Sequence, residues 1–412
     1  MVVMSSFAAP SLELSASSAS LYPLTQPSQD DTGEYRPLRV AINGFGRIGR
    51  NVLRALLERF EVLGKLVHIV AINDVADVDT LLHLLQFDST HGRLSRLGVS
   101  ASIKSIDKNI DVSGEALSAE ANHHATNINS AHLANQLCLS KNNTTYCIDL
   151  LSTEQPEHLP WNALSVDVVL ECTGHFRSYE DASRHLTAGA KQVIVGAAPF
   201  DKVDASIVMG VNDAELTRDL PIISSVSCTT QALVPLIYVL DKAFGTQSVM
   251  MTEIHAVTAD QNVLDQPHRD KRRARASGHN IIPTTSSSIA ATERTLPHML
   301  GKINGHSIRV PTIDVAAIDV NLVFDTSVSL EEVRAVLKAA CEPGSSLYGI
   351  MGYTDLPLVS SDFIHQAESL IIDGQQLMQV GSQVKVFAWY DNEWGYANRL
   401  LDMCLHLQQA RP

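Results

Sequence analysis

Short apolar runs alternate with amphipathic stretches along the first half of the chain. Leu38 to Ile42 is a β-rich apolar run that meets Gly44. Ile48, Val52, Leu53, Leu56 and Leu57 then recur at helical spacing, so a strand, a glycine turn and a helix are expected in that order. Val67 to Ile72 reads as a second buried strand after a break at Gly64, and Val166 to Leu170 and Gln192 to Val195 read as two more. Alternation of this kind predicts a parallel α/β sheet. Between the strands, roughly residues 97–143 are polar, with ALSAEANHHATNINSAHLANQL at their centre. That is long for a connection in a compact domain, so it is read as an insertion, with no secondary structure assigned to it.

Beyond Cys228 the texture changes. Ser248 to His255, Ser307 to Pro311, Ala316 to Phe324 and Val384 to Trp389 read as longer strands, with a helix over Leu330 to Ala340. Trp394 to Leu407 has helical apolar spacing and is expected to return to the first domain. The expected organisation is a disordered extension over 1–36, a dinucleotide-binding domain over 37–227 and a mixed α+β catalytic domain over 228–390. The returning helix follows over 391–412. A chain of 412 residues exceeds what one growing core accommodates, which agrees with two domains.

Composition narrows the function. A formal charge of -14 disfavours nucleic-acid binding, which needs clustered Lys and Arg. Only HRDKRRAR, His268 to Arg275, departs from that balance, either as a solvated loop or as a site for a phosphorylated small molecule. No stretch reaches the roughly 18 apolar residues of a membrane span, and the Ser-rich start lacks the pattern of a secretory signal. Six cysteines without CxxC spacing are most simply reduced thiols in a cytoplasmic protein, and no Cys/His cluster marks a metal site; His123-His124 is read as loop.

Two motifs carry chemistry. Gly44-Phe45-Gly46-Arg47-Ile48-Gly49 is a GxGxxG between a strand and a helix, where glycines allow a tight turn and close approach of backbone to a pyrophosphate. Asp74 ends the second strand in AINDV, placed to accept from ribose hydroxyls and to repel a 2′-phosphate, which favours NAD over NADP. The expected fold class is therefore α/β, a Rossmann NAD-binding domain followed by the α+β domain. The second motif is SVSCTTQALVP, with Cys228 at or near a helix start. A thiol there can attack an aldehyde to give a thiohemiacetal, then a thioester, provided a helix terminus or an imidazole favours the thiolate. His255, closing the strand candidate VMMTEIH, is the candidate imidazole; each residue taken alone is more often a buried core side chain.

INGFGRIGRNV, AIND, DSTHGR, ECTGHF, SCTT, IHAVTADQ, RRARASGHNIIP, RVPT and YDNEWGYANR occur in that order. Together they resemble the phosphorylating glyceraldehyde-3-phosphate dehydrogenase superfamily, which includes erythrose-4-phosphate dehydrogenases. The resemblance runs from Leu38 to the C-terminus, apart from the insertion. It implies catalysis by Cys228 and His255 and NAD contacts at Phe45, Gly46, Arg47, Ile48, Asp74, Thr173 and Asn392. It implies that Thr258 and Arg275 hold the phosphate of an aldose phosphate, and that a loop of about 256–283 packs between subunits of a homotetramer. Ser227 and Thr229, and the Ser286-Ser287 pair, stand where the resemblance expects ligands of an attacking inorganic phosphate. Asp260 and Ser286-Ser287 resemble the erythrose-4-phosphate branch, in which water releases the acyl group, whereas Thr258 fits the glyceraldehyde branch. Gln231 replaces the usual Asn and is expected to reach a backbone partner. A non-enzymatic binding protein retaining the fold is the third, remote reading.

Overall fold

The computed structural model describes residues 36–106 and 135–410. The expected extension apart from Arg36, His123-His124 and most of the polar segment around them lie outside the described residues. Two sheets dominate. The first has nine strands, in the order Ala205–Ser206, Ile222–Ser224, Gln192–Val195, Val168–Glu171, Leu38–Asn43, Val67–Asn73, Thr144–Leu151, Asn135–Lys141 and Ser100–Ser105. Leu38–Asn43 pairs in parallel with both Val67–Asn73 and Val168–Glu171, so the winding reverses there. Outside the carboxyl ends of such strands lies the crevice in which doubly wound sheets bind ligands.

Within 97–143 the structure has strands where the sequence reading assigned no element. Ser100–Ser105 and Asn135–Lys141 are antiparallel strands that extend the sheet beside Thr144–Leu151. Their serines, asparagines and lysines fit because an edge of the sheet exposes one face to water, which hides the apolar alternation. The cysteines need a second correction. Cys138 and Cys147 are disulfide-bonded, while Cys172, Cys228, Cys341 and Cys404 are free. Cross-strand register sets Cys138 directly opposite Cys147, a juxtaposition that linear spacing does not show. The cysteine argument for a reducing compartment therefore falls.

The second sheet runs Ile282–Thr284, Ile303–Val310, Thr246–Ala256, Ala316–Phe324, Gln383–Tyr390, Leu370–Asp373 and Met351–Thr354, with Met378–Val380 also beside Gln383–Tyr390. Thr246–Ala256 is parallel to Ile303–Val310 and antiparallel to Ala316–Phe324, a mixed sheet. The helix Cys228–Phe244 and the helix Leu330–Ala340 pack over it. One buried apolar cluster runs through both sheets. The C-terminal helix Trp394–Gln409 packs on the helix Arg47–Glu58 and on the first sheet, with fourteen of its sixteen residues buried. Among the described residues no helix is long and apolar enough to cross a membrane.

Candidate active site

The glycine turn sits at the reversal of winding. Gly44 has φ +93°, and a Cβ there would lie 2.6 Å from the Thr173 amide nitrogen, so only glycine fits. A Cβ on Gly49 would lie 2.2 Å from the Gly44 carbonyl oxygen, which is what lets helix and strand close on one another. Gly46 differs: it is exposed, and a Cβ there would meet nothing within 4 Å. It is the N-cap of Arg47–Glu58 and offers no side chain to cap it, leaving a helix N-terminus facing open space beside the turn. Asp74 accepts from the Phe45 amide at 2.7 Å through Oδ2 and from the Ala76 amide at 2.9 Å through Oδ1.

Two of the other expected cofactor contacts have settled partners. Thr173 donates its amide to Glu171 at 2.8 Å. Arg47 reaches Glu393 at 2.9 Å through Nε and also pairs with Asp88. Phe45 is buried, whereas Ile48 is half-buried. Asn392 is 7% exposed and its Oδ1 has no partner among the described residues. A buried acceptor left so is costly. An amide-bearing ligand such as the nicotinamide carboxamide would satisfy it, so the residues present fit NAD.

The strand Ile222–Ser224 delivers the chain to Cys228 through a tight bend. Val226 has φ +51°, unusual for a β-branched residue, and is held there at both ends. Its amide donates to Ser224 Oγ at 2.8 Å, and its carbonyl accepts from the Tyr396 hydroxyl at 3.0 Å. Gln231, 1% exposed, donates through Nε2 to the carbonyls of Ile207 at 2.9 Å and Ser225 at 3.0 Å. Ser227 caps the helix by accepting from the Thr230 amide at 3.1 Å. Cys228 is thus the first helical residue, in the field of the helix N-terminus.

His255 reaches it from the second sheet: Nε2 lies 3.5 Å from Cys228 Sγ, and Nδ1 lies 2.7 Å from the Ala256 carbonyl oxygen. A carbonyl only accepts, so in the neutral ring Nδ1 carries the proton and Nε2 presents a lone pair to the thiol. Burial and the Glu253 carboxylate push the Cys228 thiol up to about 12. Burial, followed by the nearby Arg309 guanidinium, pushes the imidazole down. Neither charge is favoured singly. Proton transfer from sulfur to nitrogen creates both charges together and lets each offset the other's desolvation.

Three residues of this centre escaped the sequence reading. Glu253, 2% exposed, accepts from Thr229 Oγ1 at 3.0 Å and from Ser286 Oγ at 2.6 Å. Tyr390 hydrogen-bonds the Thr229 hydroxyl at 2.8 Å, and Arg309, the register partner of His255, places Nη2 3.7 Å from Glu253. Strand alternation held the signal for Glu253, two residues from His255 and on the same face; in isolation the same period also suits a surface residue. The fold also gathers His91, Asp314 and Asp391 so that one ligand atom from each lies within 4.8 Å of the others. No local spacing marks that group, which comes from three separate segments.

Other expected site residues lie apart. Thr258 is exposed and bonds Gln261 Oε1 through its amide at 2.8 Å and its hydroxyl at 3.0 Å. Arg275 is exposed and pairs with Asp265 at 3.2 Å. Asp260 pairs with Arg273 and lies 3.4 Å from His268, so its charge is offset within the basic loop. Ser287 is exposed at the start of the helix Ser288–Thr295.

The family model "Glyceraldehyde 3-phosphate dehydrogenase, NAD binding domain" matches residues 38–138, and "Glyceraldehyde 3-phosphate dehydrogenase, C-terminal domain" matches 227–392. The chain is 41% identical over 372 residues to glyceraldehyde-3-phosphate dehydrogenase of Geobacillus stearothermophilus, covering 90% of this chain and 98% of that protein. Glyceraldehyde-3-phosphate dehydrogenase 1 of Bacillus subtilis (strain 168) is 40% identical over the same shares. The protein of that name from Bacillus cereus is 39% identical over 371 residues, again 90% and 98%.

Proposed function

Because the chain belongs to the glyceraldehyde-3-phosphate dehydrogenase family, and so is an NAD-dependent oxidoreductase acting on an aldehyde group, we propose that it oxidises glyceraldehyde 3-phosphate on Cys228. The observation that carries this is the 3.5 Å approach of His255 Nε2 to Cys228 Sγ with Nδ1 anchored on Ala256. His255 takes the thiol proton, the sulfur adds to the aldehyde carbon, and the imidazolium returns the proton to the developing alkoxide. When bound, NAD supplies the hydride acceptor; as the hydride leaves, His255 takes back the hydroxyl proton and passes it to solvent, so a thioester remains on Cys228 beside a neutral imidazole. Gly46 and the first turn of Arg47–Glu58 hold the pyrophosphate, Asp74 the ribose and Asn392 the carboxamide.

Erythrose 4-phosphate is the second reading, favoured by the Ser286-Ser287 pair. A homotetramer accompanies either. Val263, Leu264 and Ile281 on the loop are each more than 70% exposed, apolar area that a second copy would cover. NADH formation from each aldose phosphate tests the substrate. Cys228→Ser is expected to abolish turnover with NAD affinity retained, and substantial residual turnover removes Cys228 from the nucleophile role.

A further inference from the structure

We propose that Glu253 makes water, rather than inorganic phosphate, the acceptor of the acyl group held on Cys228. This rests on the reading above that Cys228 carries a thioester. Both oxygens of the buried Glu253 carboxylate are engaged, Oε1 by the Thr229 hydroxyl at 3.0 Å and Oε2 by the Ser286 hydroxyl at 2.6 Å. Arg309 Nη2 stands 3.7 Å from Oε1, and His255 Nε2 stands 3.9 Å from it. Thr229 and Ser286 are two of the hydroxyls that the resemblance would give to an attacking phosphate. Ser227, a third, is committed to the Thr230 amide and hydroxyl at 3.1 and 2.7 Å.

An oxyanion entering this space meets donors already turned toward a carboxylate. It also meets a negative charge that protein, not water, surrounds, where repulsion is strongest. The nearby guanidinium of Arg309 balances Glu253 alone. Water carries no charge and meets no such barrier. Its attack also gains from Glu253, because the imidazolium formed at His255 lies 3.9 Å from the carboxylate.

The step balances. Water oxygen bonds to the thioester carbonyl carbon as one of its protons passes to His255 Nε2. The carbon–sulfur bond breaks, and Cys228 leaves as thiolate and recovers the proton from His255. The acid formed ionises and releases a proton to solvent. Carbon undergoes no redox change here, the oxidation having been completed when the thioester formed.

The test mixes enzyme, NAD and glyceraldehyde 3-phosphate rapidly in phosphate-free buffer, then adds inorganic phosphate. A burst of one NADH per active site reports the thioester, and the later rate reports its release. In the native protein the later rate should persist without phosphate, yielding the free acid, and change by less than about twofold when phosphate is added. In Glu253→Thr, which puts a neutral hydroxyl in place of the charge, phosphate should speed release at least about tenfold. A native enzyme that stops after the burst and resumes only with phosphate overturns the inference while leaving the dehydrogenase reading intact. So does a folded, burst-competent Glu253→Thr as indifferent to phosphate as the native protein. Absence of any NADH formation, with or without phosphate, overturns the thioester reading and this inference with it.

Discussion

Gly46 and Gly49 stand three residues apart in one motif, yet the structure separates what an added methyl does at each. At Gly49 a Cβ would lie 2.2 Å from the Gly44 carbonyl oxygen and 3.0 Å from Ile42 Cγ2. Backbone must move, and overpacking of this kind costs about 1–3 kcal/mol. The better helix propensity of alanine returns at most about 1 kcal/mol. At Gly46 the backbone is extended with φ -73°, and a Cβ meets no protein atom within 4 Å. Gly46→Ala should therefore fold with unchanged stability, or gain about 0.4–1 kcal/mol through a less flexible unfolded chain. The space filled is the one proposed for the pyrophosphate. An overlap costing about 1–3 kcal/mol there weakens NAD roughly five- to 150-fold. Urea unfolding read by circular dichroism gives the first quantity and calorimetric titration with NAD the second. Gly49→Ala should lose stability; Gly46→Ala should lose affinity alone. A folded Gly46→Ala that binds NAD as tightly as the native protein would refute the assignment of that space to the cofactor.

Three further outcomes are expected. In His255→Asn the thiol loses its proton acceptor. Burial and Glu253, which disfavour the thiolate in the native site, then act unopposed, so alkylation by iodoacetamide should be slow at neutral pH and rise roughly tenfold per pH unit. The native profile should be flatter, and identical profiles would remove His255 from thiolate formation. Gln231→Ala strips the donors from the Ile207 and Ser225 carbonyls, and two buried acceptors left unpaired should cost about 2–4 kcal/mol in urea unfolding; a loss under about 1 kcal/mol would show that water or rearrangement replaces the amide. Tyr396→Phe removes the hydroxyl that holds the Val226 carbonyl, and should cost about 1–3 kcal/mol and slow the NADH burst by letting the bend before Cys228 relax. An unchanged burst would show that Val226 is held by other contacts.

Sequence by itself determined the elements whose faces are uniformly buried or cleanly periodic. Gln192–Val195, Ala316–Phe324 and Leu330–Ala340 lie where their patterns put them. Burial on a sheet or helix face constrains each residue along the run, so the constraint is legible one residue at a time. The α/β class followed from the alternation of such runs, and the glycine turn was legible because its strand and helix are adjacent in sequence. Where the face is solvated the signal fades, and the strands Ser100–Ser105 and Asn135–Lys141 were missed for that reason.

Only the tertiary structure decided what meets what. Cys228 and His255 come together because the helix N-terminus that follows the strand Ile222–Ser224 of one sheet abuts the end of a strand in the other. The Cys138–Cys147 bond depends on cross-strand register, and the Asn392 oxygen, without a partner among the described residues, on the burial of the turn before the last helix. Glu253 carries this furthest. In the chain it is one glutamate in a strand of alternating character. In the fold it holds two hydroxyls beside the nucleophile, because the alternation that makes it a neighbour of His255 also turns it inward. A local pattern cannot tell an inward face from an outward one when the residue is charged; the packing of Thr229, Ser286 and Arg309 around it does.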